Sequence, residues 1–585
     1  MTLWGVFPAA ASLHVDYPPI VPTLTTSYVH GTSNTPLLHA TVGEMLLKTV
    51  ERQPDKEALV FSENGVRKTF AQFLQDVDQA AAGLLAMGLK KGDRLGMWGP
   101  NTYEWVLFQF ATARVGIILV AINPAYQVNE VEFALQKVGC KAIVCPLEFK
   151  TQKYCDMLRK ICPEIEKATP GDIRSPRLPD LRSVIVLGSR QPGMFCFEDV
   201  MQAGTSQHTR QLQDIQKTLS CDDPINIQFT SGTTGAPKGA ALSHHNIINN
   251  SYFPSERLSR CLPVLQPDIR VCLPVPMYHC FGSVGGGMCL AVHGVTLVYP
   301  SVGYSGKANL EAIEKERCTF LYGTPTMYVD MLNQPDLPKY DLSFLSCIMS
   351  GSPCPPELMK QVMEVMGMKE ITIGYGTTEN SPVTFAASPL DNMDRKCNSV
   401  GFVMEHLEAK IVNPSTGLMV PVGENGEICI RGYCVMLEYW GDPENTRQCI
   451  GKDRWYKTGD IGRLDPFGYL QIQGRIKDMI IRGGENVYPA EIEKFLHTHP
   501  KVKEVQVVGV VDPRMGEEVC ACIKLVDGVE CTAEEIKAFC KGQIAYFKIP
   551  RYVEFVTSYP LTVTGKIQKN ILSAQMEKQL GLKPK

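Results

Sequence analysis

The segment 225–239 constrains the fold and chemistry of this chain most strongly. Its first five residues, Ile-Asn-Ile-Gln-Phe, are β-branched and apolar enough to predict a buried strand. The strand runs into a loop with three glycines, four hydroxyl side chains and one lysine: Thr230, Ser231, Gly232, Thr233, Thr234, Gly235, Ala236, Pro237, Lys238 and Gly239. Backbone N–H groups, hydroxyls and a cation together suit a polyphosphate. We therefore predict that this loop binds nucleotide phosphates.

The order of residues around the lysine excludes one common kind of phosphate loop. A Walker A loop has glycine directly before its lysine and serine or threonine directly after it. Here Pro237 precedes Lys238 and Gly239 follows it. The chain is therefore not predicted to be a Walker-type NTPase.

Periodicity predicts an α/β protein. Short β-branched runs at 142–144, 183–187 and 225–229 alternate with longer helical stretches, as in a doubly wound sheet. The first helix is predicted after Thr41, because Glu44 three residues later completes a capping box.

Changes in pattern along 585 residues predict several domains. We expect an N-terminal arm at 1–35 and an α/β domain at 36–474, with a β-rich subdomain at about 400–474. A small α+β domain is expected at 475–585, separated by a hinge at 475–478.

Composition narrows the class of protein. Lys and Arg total 58 against 61 Asp and Glu, a formal charge of −3, so no basic field favours nucleic acid. The 21 cysteines include no CxxC pair, which favours a reducing compartment over a disulfide framework or zinc ribbon. The longest apolar run, 115–122, is short of the ~20 residues of a membrane-spanning helix.

His244 and His245 have no metal partner at recognisable spacing and are predicted to start a helix.

Six motifs in order resemble the adenylate-forming superfamily of acyl-CoA synthetases, luciferases and peptide-synthetase adenylation domains. The first is the loop at 230–239, and the others follow toward the C-terminus at 374–379 (Gly-Tyr-Gly-Thr-Thr-Glu), 426–440, 455–460 (Trp-Tyr-Lys-Thr-Gly-Asp), 474–486 and 560–567. Within the superfamily the resemblance is closest to the medium-chain acyl-CoA synthetases, which are mitochondrial. It implies a large N-terminal domain, a small mobile C-terminal domain, and ATP, Mg²⁺ and CoA as ligands.

The resemblance implies a two-step reaction. A fatty acid attacks the α-phosphate of ATP to give acyl-AMP and pyrophosphate, and CoA then displaces AMP. Lys566 matches the catalytic lysine that bridges the carboxylate and the α-phosphate. Glu379 matches the Mg²⁺ ligand, and Thr378 beside it would bind the α-phosphate.

Other motif positions imply contacts to the nucleotide. Tyr375 would stack on adenine at the C-terminal end of a strand, where open α/β sheets bind ligands. Asp460 would accept hydrogen bonds from the ribose hydroxyls, and Arg475 would contact ribose or phosphate. His279 matches an aromatic gate between the phosphate loop and the acyl pocket, although a histidine in an apolar run is also an ordinary core residue.

The C-terminal motifs imply how CoA is reached. Lys477 occupies the hinge position of the family, and rotation there would exchange Lys566 for Gly483 and Gly484, which would line the CoA channel.

The other predicted partners are small-molecule substrates. No nucleic acid and no membrane span are expected, and the sequence makes no prediction of oligomeric state.

The substrate is predicted to be apolar at its non-reacting end. Relatives that activate amino acids hold the ammonium with an aspartate, whereas residues 272–292 contain no acidic side chain. Four glycines in this region suit either an acyl tunnel or close backbone packing: Gly282, Gly285, Gly286 and Gly287.

Two alternatives to the leading interpretation remain. One is a non-catalytic acyl or nucleotide sensor, against which the intact Glu379, Asp460, Arg475 and Lys566 argue. The other is adenylation with a different thiol acceptor. The predicted location is the mitochondrion by resemblance, with the cytoplasm as alternative, because the first 47 residues lack the Lys and Arg of a transit peptide.

Overall fold

The computed structural model describes residues 24–230, 237–259, 268–351, 354–368, 370–483, 485–562 and 566–582. Over these residues the chain divides into two compact units. The first comprises 30–408 and 430–456, and the second comprises 24–29, 409–429 and 457–582. The predicted boundary at 475–478 stays a prediction.

The strands of the described residues follow one another in chain order as β1 Tyr28–His30, β2 Glu57–Phe61, β3 Val66–Thr69, β4 Arg94–Trp98, β5 Ile118–Ile122, β6 Ala142–Pro146, β7 Glu148–Phe149, β8 Gln152–Lys153, β9 Ser183–Leu187, β10 Phe195–Cys196, β11 Pro224–Thr230, β12 Lys238–Ser243, β13 Arg270–Cys272, β14 Thr296–Tyr299, β15 Phe320–Gly323, β16 Ser346–Met349, β17 Glu370–Gly376, β18 Val383–Ala386, β19 Phe402–Val403, β20 Leu407–Val412, β21 Gly426–Gly432, β22 Glu438–Tyr439, β23 Tyr456–Leu464, β24 Leu470–Arg475, β25 Ile480–Arg482, β26 Glu485–Val487, β27 Val502–Asp512, β28 Gly516–Leu525 and β29 Tyr552–Phe555.

The α-helices of the same residues are α1 Val42–Arg52, α2 Phe70–Ala86, α3 Tyr103–Val115, α4 Val128–Val138, α5 Tyr154–Ile161, α6 Phe197–Ala203, α7 Ser206–Gln216, α8 His244–Ser259, α9 Cys289–His293, α10 Gly306–Lys315, α11 Pro325–Leu332, α12 Pro356–Val365, α13 Met393–Asn398, α14 Pro443–Cys449, α15 Pro489–Leu496, α16 Ala533–Cys540 and α17 Lys569–Gln579. A π-helix covers Phe281–Gly286. None of the described helices is both long and apolar enough to cross a membrane.

Two large mixed sheets form the first unit, as the alternating pattern predicted. One has eight strands in the order β10-β9-β6-β4-β5-β11-β12-β22, and the other has nine in the order β19-β18-β17-β16-β15-β13-β14-β2-β3. Parallel pairing joins β9, β6, β4, β5 and β11 in the first sheet. It joins β2, β14, β13, β15, β16 and β17 in the second.

Each large sheet has its own apolar core. Val120, Ile143 and Leu158 belong to the core of the eight-stranded sheet, whereas Leu321 and Ile371 belong to that of the nine-stranded sheet. All five side chains are buried. Each buried side chain of this size contributes about 1.5–3 kcal/mol to folding, so the sheets are firm supports for the loops at their edges.

Smaller sheets complete the fold. A five-stranded sheet has the order β1-β20-β21-β23-β24, and it corresponds to the β-rich region predicted near 400–474. Toward the C-terminus β26, β25, β28 and β27 form another sheet, to which β29 adds beside β28. The short antiparallel pair of β7 and β8 stands apart from these sheets.

Local signals placed several helix starts correctly. Thr41 and Glu44 form the predicted capping box of α1. α8 begins at His244, as predicted.

Candidate active site

The predicted phosphate loop lies between two antiparallel strands of the eight-stranded sheet. Thr230, the last residue of β11, pairs directly with Lys238, the first residue of β12. β11 is also parallel to β5, so one arm of this hairpin is part of the buried sheet. Six of the predicted ATP-binding residues lie outside the described residues: Ser231, Gly232, Thr233, Thr234, Gly235 and Ala236. Pro237 and the two paired ends of the loop are half-buried.

Lys238 is held beside an aromatic ring. Its ammonium lies 5.1 Å from the centroid of the Tyr439 ring, within the range of a cation–π contact. Tyr439 reaches this position because β22 adds to the sheet next to β12, with Tyr439 opposite Ala240. The lysine is therefore fixed at the base of the loop by sheet register as well as by the ring.

Tyr439 connects the lysine to the predicted Mg²⁺ ligand. Its hydroxyl donates a hydrogen bond of 2.7 Å to Oε1 of Glu379. Burial, followed by the negative charge of Glu379, raises the pKa of Tyr439 far above its usual range, so the phenol stays protonated and donates. Tyr456 is also buried near this carboxylate, and burial is again the main cause of its raised pKa.

The Glu379 carboxylate retains one oxygen for a ligand. Among the described residues, no hydrogen bond ends on its Oε2, and the side chain is half-buried. The residue lies in a 3₁₀ turn, Thr378–Asn380, directly after β17. A carboxylate with one engaged and one available oxygen, next to a phosphate-type loop, fits the coordination that Mg²⁺ prefers.

Cys280, the residue after His279, contacts Thr378. The thiol of Cys280 lies 3.6 Å from Oγ1 of Thr378. The Nδ1 of His279 accepts a hydrogen bond of 3.2 Å from the backbone N–H of Phe281. This bond assigns the proton of the neutral ring to Nε2 and holds the ring in a defined orientation.

Polar residues that the sequence did not single out hold the His279 segment. Asn101 donates to the carbonyl of Val275 at 3.0 Å and accepts from the backbone of Met277 at 2.8 Å. The amide of Gln228, on β11, donates to Oγ of Ser283 at 3.0 Å. These buried bonds join the hairpin to the segment that contains His279. Motif 426–440 was the available signal for Tyr439, but Asn101 and Gln228 have no motif that identifies them.

Close packing explains three of the four glycines in the segment 282–287. A Cβ on Gly282 would lie 2.2 Å from the carbonyl oxygen of Pro276, and one on Gly286 would lie 2.3 Å from Leu273 Cδ1. A Cβ on Gly287 would meet the Ser283 carbonyl oxygen at 2.7 Å. At Gly285, by contrast, the nearest atom would be at 3.6 Å, an ordinary contact. The structure therefore explains three glycines by packing and leaves room at one.

Tyr375 lies near the end of β17. Its half-buried ring is 6.4 Å from that of Phe385, and Thr384 donates a 3.3 Å hydrogen bond to its backbone oxygen. The side chain therefore stands at the C-terminal end of a parallel strand, where the sequence placed it.

Asp460 and Arg475 meet in the second unit. They are direct partners on the antiparallel strands β23 and β24, and the Arg475 Nε lies 3.0 Å from the Asp460 Oδ1. The Asp460 side chain is 7% exposed and the Arg475 side chain 45%. Two of the predicted nucleotide ligands therefore form one ion pair, in which the arginine side chain is partly exposed to solvent.

The remaining predicted site residues of the second unit are Lys477, Gly483, Gly484 and Lys566. Lys477 is exposed in the 3₁₀ helix Ile476–Asp478. Gly483 has φ +58, a backbone conformation that favours glycine, and a Cβ there would lie 2.3 Å from the Cε at the tip of the flexible Met515 side chain. Gly484 lies outside the described residues. The backbone N–H of Thr562 donates a hydrogen bond of 2.7 Å to the Lys566 carbonyl.

Comparison with known proteins agrees with the motifs. The family model described as "AMP-binding enzyme" matches residues 46–440, and "AMP-binding enzyme C-terminal domain" matches residues 491–566. The chain is 66% identical over 574 residues to the medium-chain acyl-CoA ligase ACSF2, mitochondrial, of Danio rerio, covering 98% of this chain and 94% of the relative. It is 57% identical to the Homo sapiens protein of the same name, over 95% and 91% of the two chains.

Solved structures share the fold. The anthranilate CoA ligase AuaEII in complex with anthranoyl-AMP superposes with a TM-score of 0.79 at 27% identity, over 94% of this chain and 99% of that one. ATP-bound MatB from Rhodopseudomonas palustris gives 0.77 at 26% identity, over 93% and 100%. The predicted fold, a large N-terminal α/β domain with a small C-terminal domain, is confirmed. By its motifs, its fold and its relatives, the chain belongs to the AMP-binding enzymes.

Proposed function

We propose that the protein is an ATP-dependent, AMP-forming acyl-CoA synthetase that activates a medium-chain fatty acid through acyl-AMP and transfers it to CoA. One observation carries the proposal: Lys238, Tyr439 and Glu379 form a connected line of contacts at the base of the phosphate loop. Relatives at 57–66% identity are named medium-chain acyl-CoA ligases, which supplies the substrate class.

In the first half-reaction, negative charge grows on the transferring phosphate and on pyrophosphate. Thr230, Lys238 and the loop between them would bind the phosphates, with Thr378 at the α-phosphate. Lys566 would bring a cation to the fatty acid carboxylate. Fixed charges and donors of this kind are the main protein contribution to phosphoryl chemistry.

Glu379 would hold Mg²⁺ through its available oxygen, while Tyr439 occupies the other. When bound, the ion would neutralise phosphate charge. The protein's own contribution is to keep one carboxylate oxygen engaged, so that the side chain presents the other in a fixed direction.

Three further side chains, those of Tyr375, Asp460 and Arg475, would bind the adenine and ribose of the nucleotide. Tyr375 would stack on adenine. Asp460 would accept the ribose hydroxyls, with its carboxylate held in place by Arg475. His279, whose Nδ1 accepts from the Phe281 N–H, would act as the gate between the phosphate loop and the acyl pocket.

The second half-reaction would deliver CoA. Lys477, exposed on a short turn, would act as the hinge, and Gly483 and Gly484 would line the CoA channel. A narrow pantetheine arm passes most easily beside residues without side chains.

An apolar acid fits the segment 272–292. It contains no acidic side chain, so an ammonium group bound there would lack a counter-charge. Room at Gly285 is compatible with acyl chain near it. Each buried CH₂ contributes ~0.8 kcal/mol, roughly fourfold in affinity, so pocket depth would select chain length.

The decisive experiment measures acid-dependent ATP–pyrophosphate exchange over straight-chain fatty acids of graded length, followed by CoA-dependent release of AMP. We expect exchange to peak at medium chain length and AMP to appear with the thioester. Formation of ADP and orthophosphate would contradict the proposal. Binding of ATP and acid without exchange would favour the sensor, and AMP release with another thiol but not CoA would favour a different acceptor.

The proposed location is the mitochondrion, because the relatives are named mitochondrial proteins. The full chain with a C-terminal fluorescent tag is expected to co-localise with a mitochondrial marker in cells. Diffuse fluorescence would support the cytoplasm instead.

A further inference from the structure

Three metal-ligand side chains meet away from the residues assigned to the ligase reaction. They are His39, in the segment before α1, Cys221, in the segment before β11, and His245, the second residue of α8. One ligand atom from each residue lies within 4.8 Å of those of the other two. Sequence spacing gave no indication of this cluster, because its members come from three separate segments.

The cluster lies at the base of the hairpin that carries Lys238. Cys221 precedes β11, and His245 follows β12. The backbone N–H of His245 donates to the carbonyl of Cys221 at 2.8 Å. The two ends of the hairpin are therefore already joined where two of the three ligands stand.

His39 joins the other two through ring stacking. Its imidazole lies over that of His245 with 5.2 Å between centroids and 19° between planes. His39 is exposed, whereas Cys221 and His245 are half-buried. The outer ligand can therefore rotate while the inner two are held by the fold.

Asn249 orients the inner histidine. Its Nδ2 lies 3.2 Å from the Nδ1 of His245, and it donates to the Leu38 carbonyl at 3.0 Å. Its Oδ1 accepts from the Leu38 N–H at 2.8 Å. One amide thus fixes both the His245 ring and the backbone next to His39, as outer-shell groups of metal sites commonly do.

We propose that His39, Cys221 and His245 form a surface site for a zinc-like divalent cation. Two imidazoles and a thiolate are ligands that such borderline ions prefer. With bonds of about 2.0–2.3 Å, ligand atoms around one ion lie roughly 3.3–3.8 Å apart, so rotation of the side chains by about 1 Å closes the site. Binding forms the bond to sulfur and releases the Cys221 proton to solvent. Water would complete a tetrahedron.

The site would tie the segment before α1 to both ends of the hairpin. The ion binds the folded chain, in which the three ligands meet, better than the unfolded chain. It would therefore raise the unfolding temperature with its concentration. This role is independent of the ligase reaction, since none of the three residues is assigned to that reaction.

The test uses the full chain, freed of metal by chelator and titrated with Co²⁺, which reports thiolate ligation by a charge-transfer absorption band. We expect one equivalent to produce the band in the wild-type protein. Cys221→Ser should abolish the band, and His39→Ala or His245→Asn should weaken Zn²⁺ binding at least tenfold, measured by competition with Co²⁺. Zn²⁺ should raise the unfolding temperature of the wild-type protein more than that of each variant.

Matched controls use residues of the same types elsewhere in the chain. Cys531→Ser and His208→Ala should leave the band and the Zn²⁺ affinity unchanged. The unfolding temperature in chelator establishes that each variant is folded, and Cys221→Ala replaces Cys221→Ser if the serine variant is not. A band that persists without the Cys221 thiol, or Zn²⁺ affinities within twofold across wild type and all three variants, would overturn the proposal.

Discussion

The two groups of proposed catalytic residues differ in how the fold holds them. In the first unit, Lys238 and Glu379 are half-buried and linked through Tyr439, which is fixed by sheet pairing. In the second unit, Lys477 lies in the three-residue 3₁₀ helix Ile476–Asp478, and the backbone of Lys566 is hydrogen-bonded to its near neighbour Thr562. Long-range pairing resists movement, whereas local turns can reorganise at small cost. The comparison suggests fixed phosphate-binding groups in one unit and groups suited to movement in the other.

The strongest test of this contrast is Lys566→Ala. We expect a loss of ~10²–10³ in ATP–pyrophosphate exchange, because one cation is removed from the developing charge. Thioester formation from supplied acyl-AMP should be largely retained, and thermal unfolding should not change. Lys578→Ala, an exposed lysine on α17, is the control. Equal loss of both half-reactions would assign Lys566 no separate role in the first.

Glu379→Gln tests the proposed Mg²⁺ ligand, which is one of the fixed groups of the first unit. The amide keeps the acceptor for Tyr439 but loses the charge that would hold Mg²⁺, so we expect exchange to fall by about 10²-fold and its Mg²⁺ requirement to rise. Exchange is measured across a Mg²⁺ titration. Glu438→Gln, the exposed neighbour on β22, serves as control. An unchanged Mg²⁺ requirement would remove the metal assignment.

Substitutions at two glycines of the π-helix distinguish a glycine needed for close packing from one that leaves space for the substrate. Gly282→Ala places a Cβ 2.2 Å from a backbone oxygen, and overpacking of this kind costs about 1–3 kcal/mol of unfolding free energy. Gly285→Ala meets nothing closer than 3.6 Å and should change stability little. It should instead shift the preferred fatty acid toward shorter chains if acyl chain lies there. Denaturant unfolding and chain-length profiles of both variants decide the matter, and equal stability would contradict the packing argument.

Tyr439→Phe tests the contribution of the hydrogen bond by which Tyr439 connects Lys238 to Glu379. The ring stays beside Lys238 while the hydrogen bond to Glu379 is lost, so we expect exchange to fall about tenfold, in line with the net value of a hydrogen bond to a charged group. The variant should unfold at nearly the wild-type temperature. A loss as large as that of Glu379→Gln would mean that the hydroxyl acts directly on the substrate, because orientation alone would not explain it.

Local signals predicted much of the fold. The run 225–229 became β11, the run 183–187 became β9, and α1 begins directly after Thr41. The π-helix at Phe281–Gly286 was not predicted, because its glycines are dictated by Pro276 and Leu273 packed against them. Such contacts depend on tertiary structure, which short-range periodicity does not contain.

Motifs likewise identified residue types at the site but not their connections. Lys238, Tyr439 and Glu379 stood in three different motifs, and only the order β11-β12-β22 brings the first two together. The group of His39, Cys221 and His245 was missed for the same reason, since its members meet only once the hairpin and α8 are in place.

The register between β12 and β22 sets the direction in which Lys238 points. The length of the phosphate loop does not affect this direction. Because strand side chains alternate between faces, Lys238 points toward Tyr439 as long as Ala240 stays opposite that tyrosine. The stretch of chain between β11 and β12 can therefore change in length during evolution or engineering while the lysine keeps its direction. Insertion of one residue inside β12, between Lys238 and Ala240, would instead turn the lysine to the opposite face of the sheet.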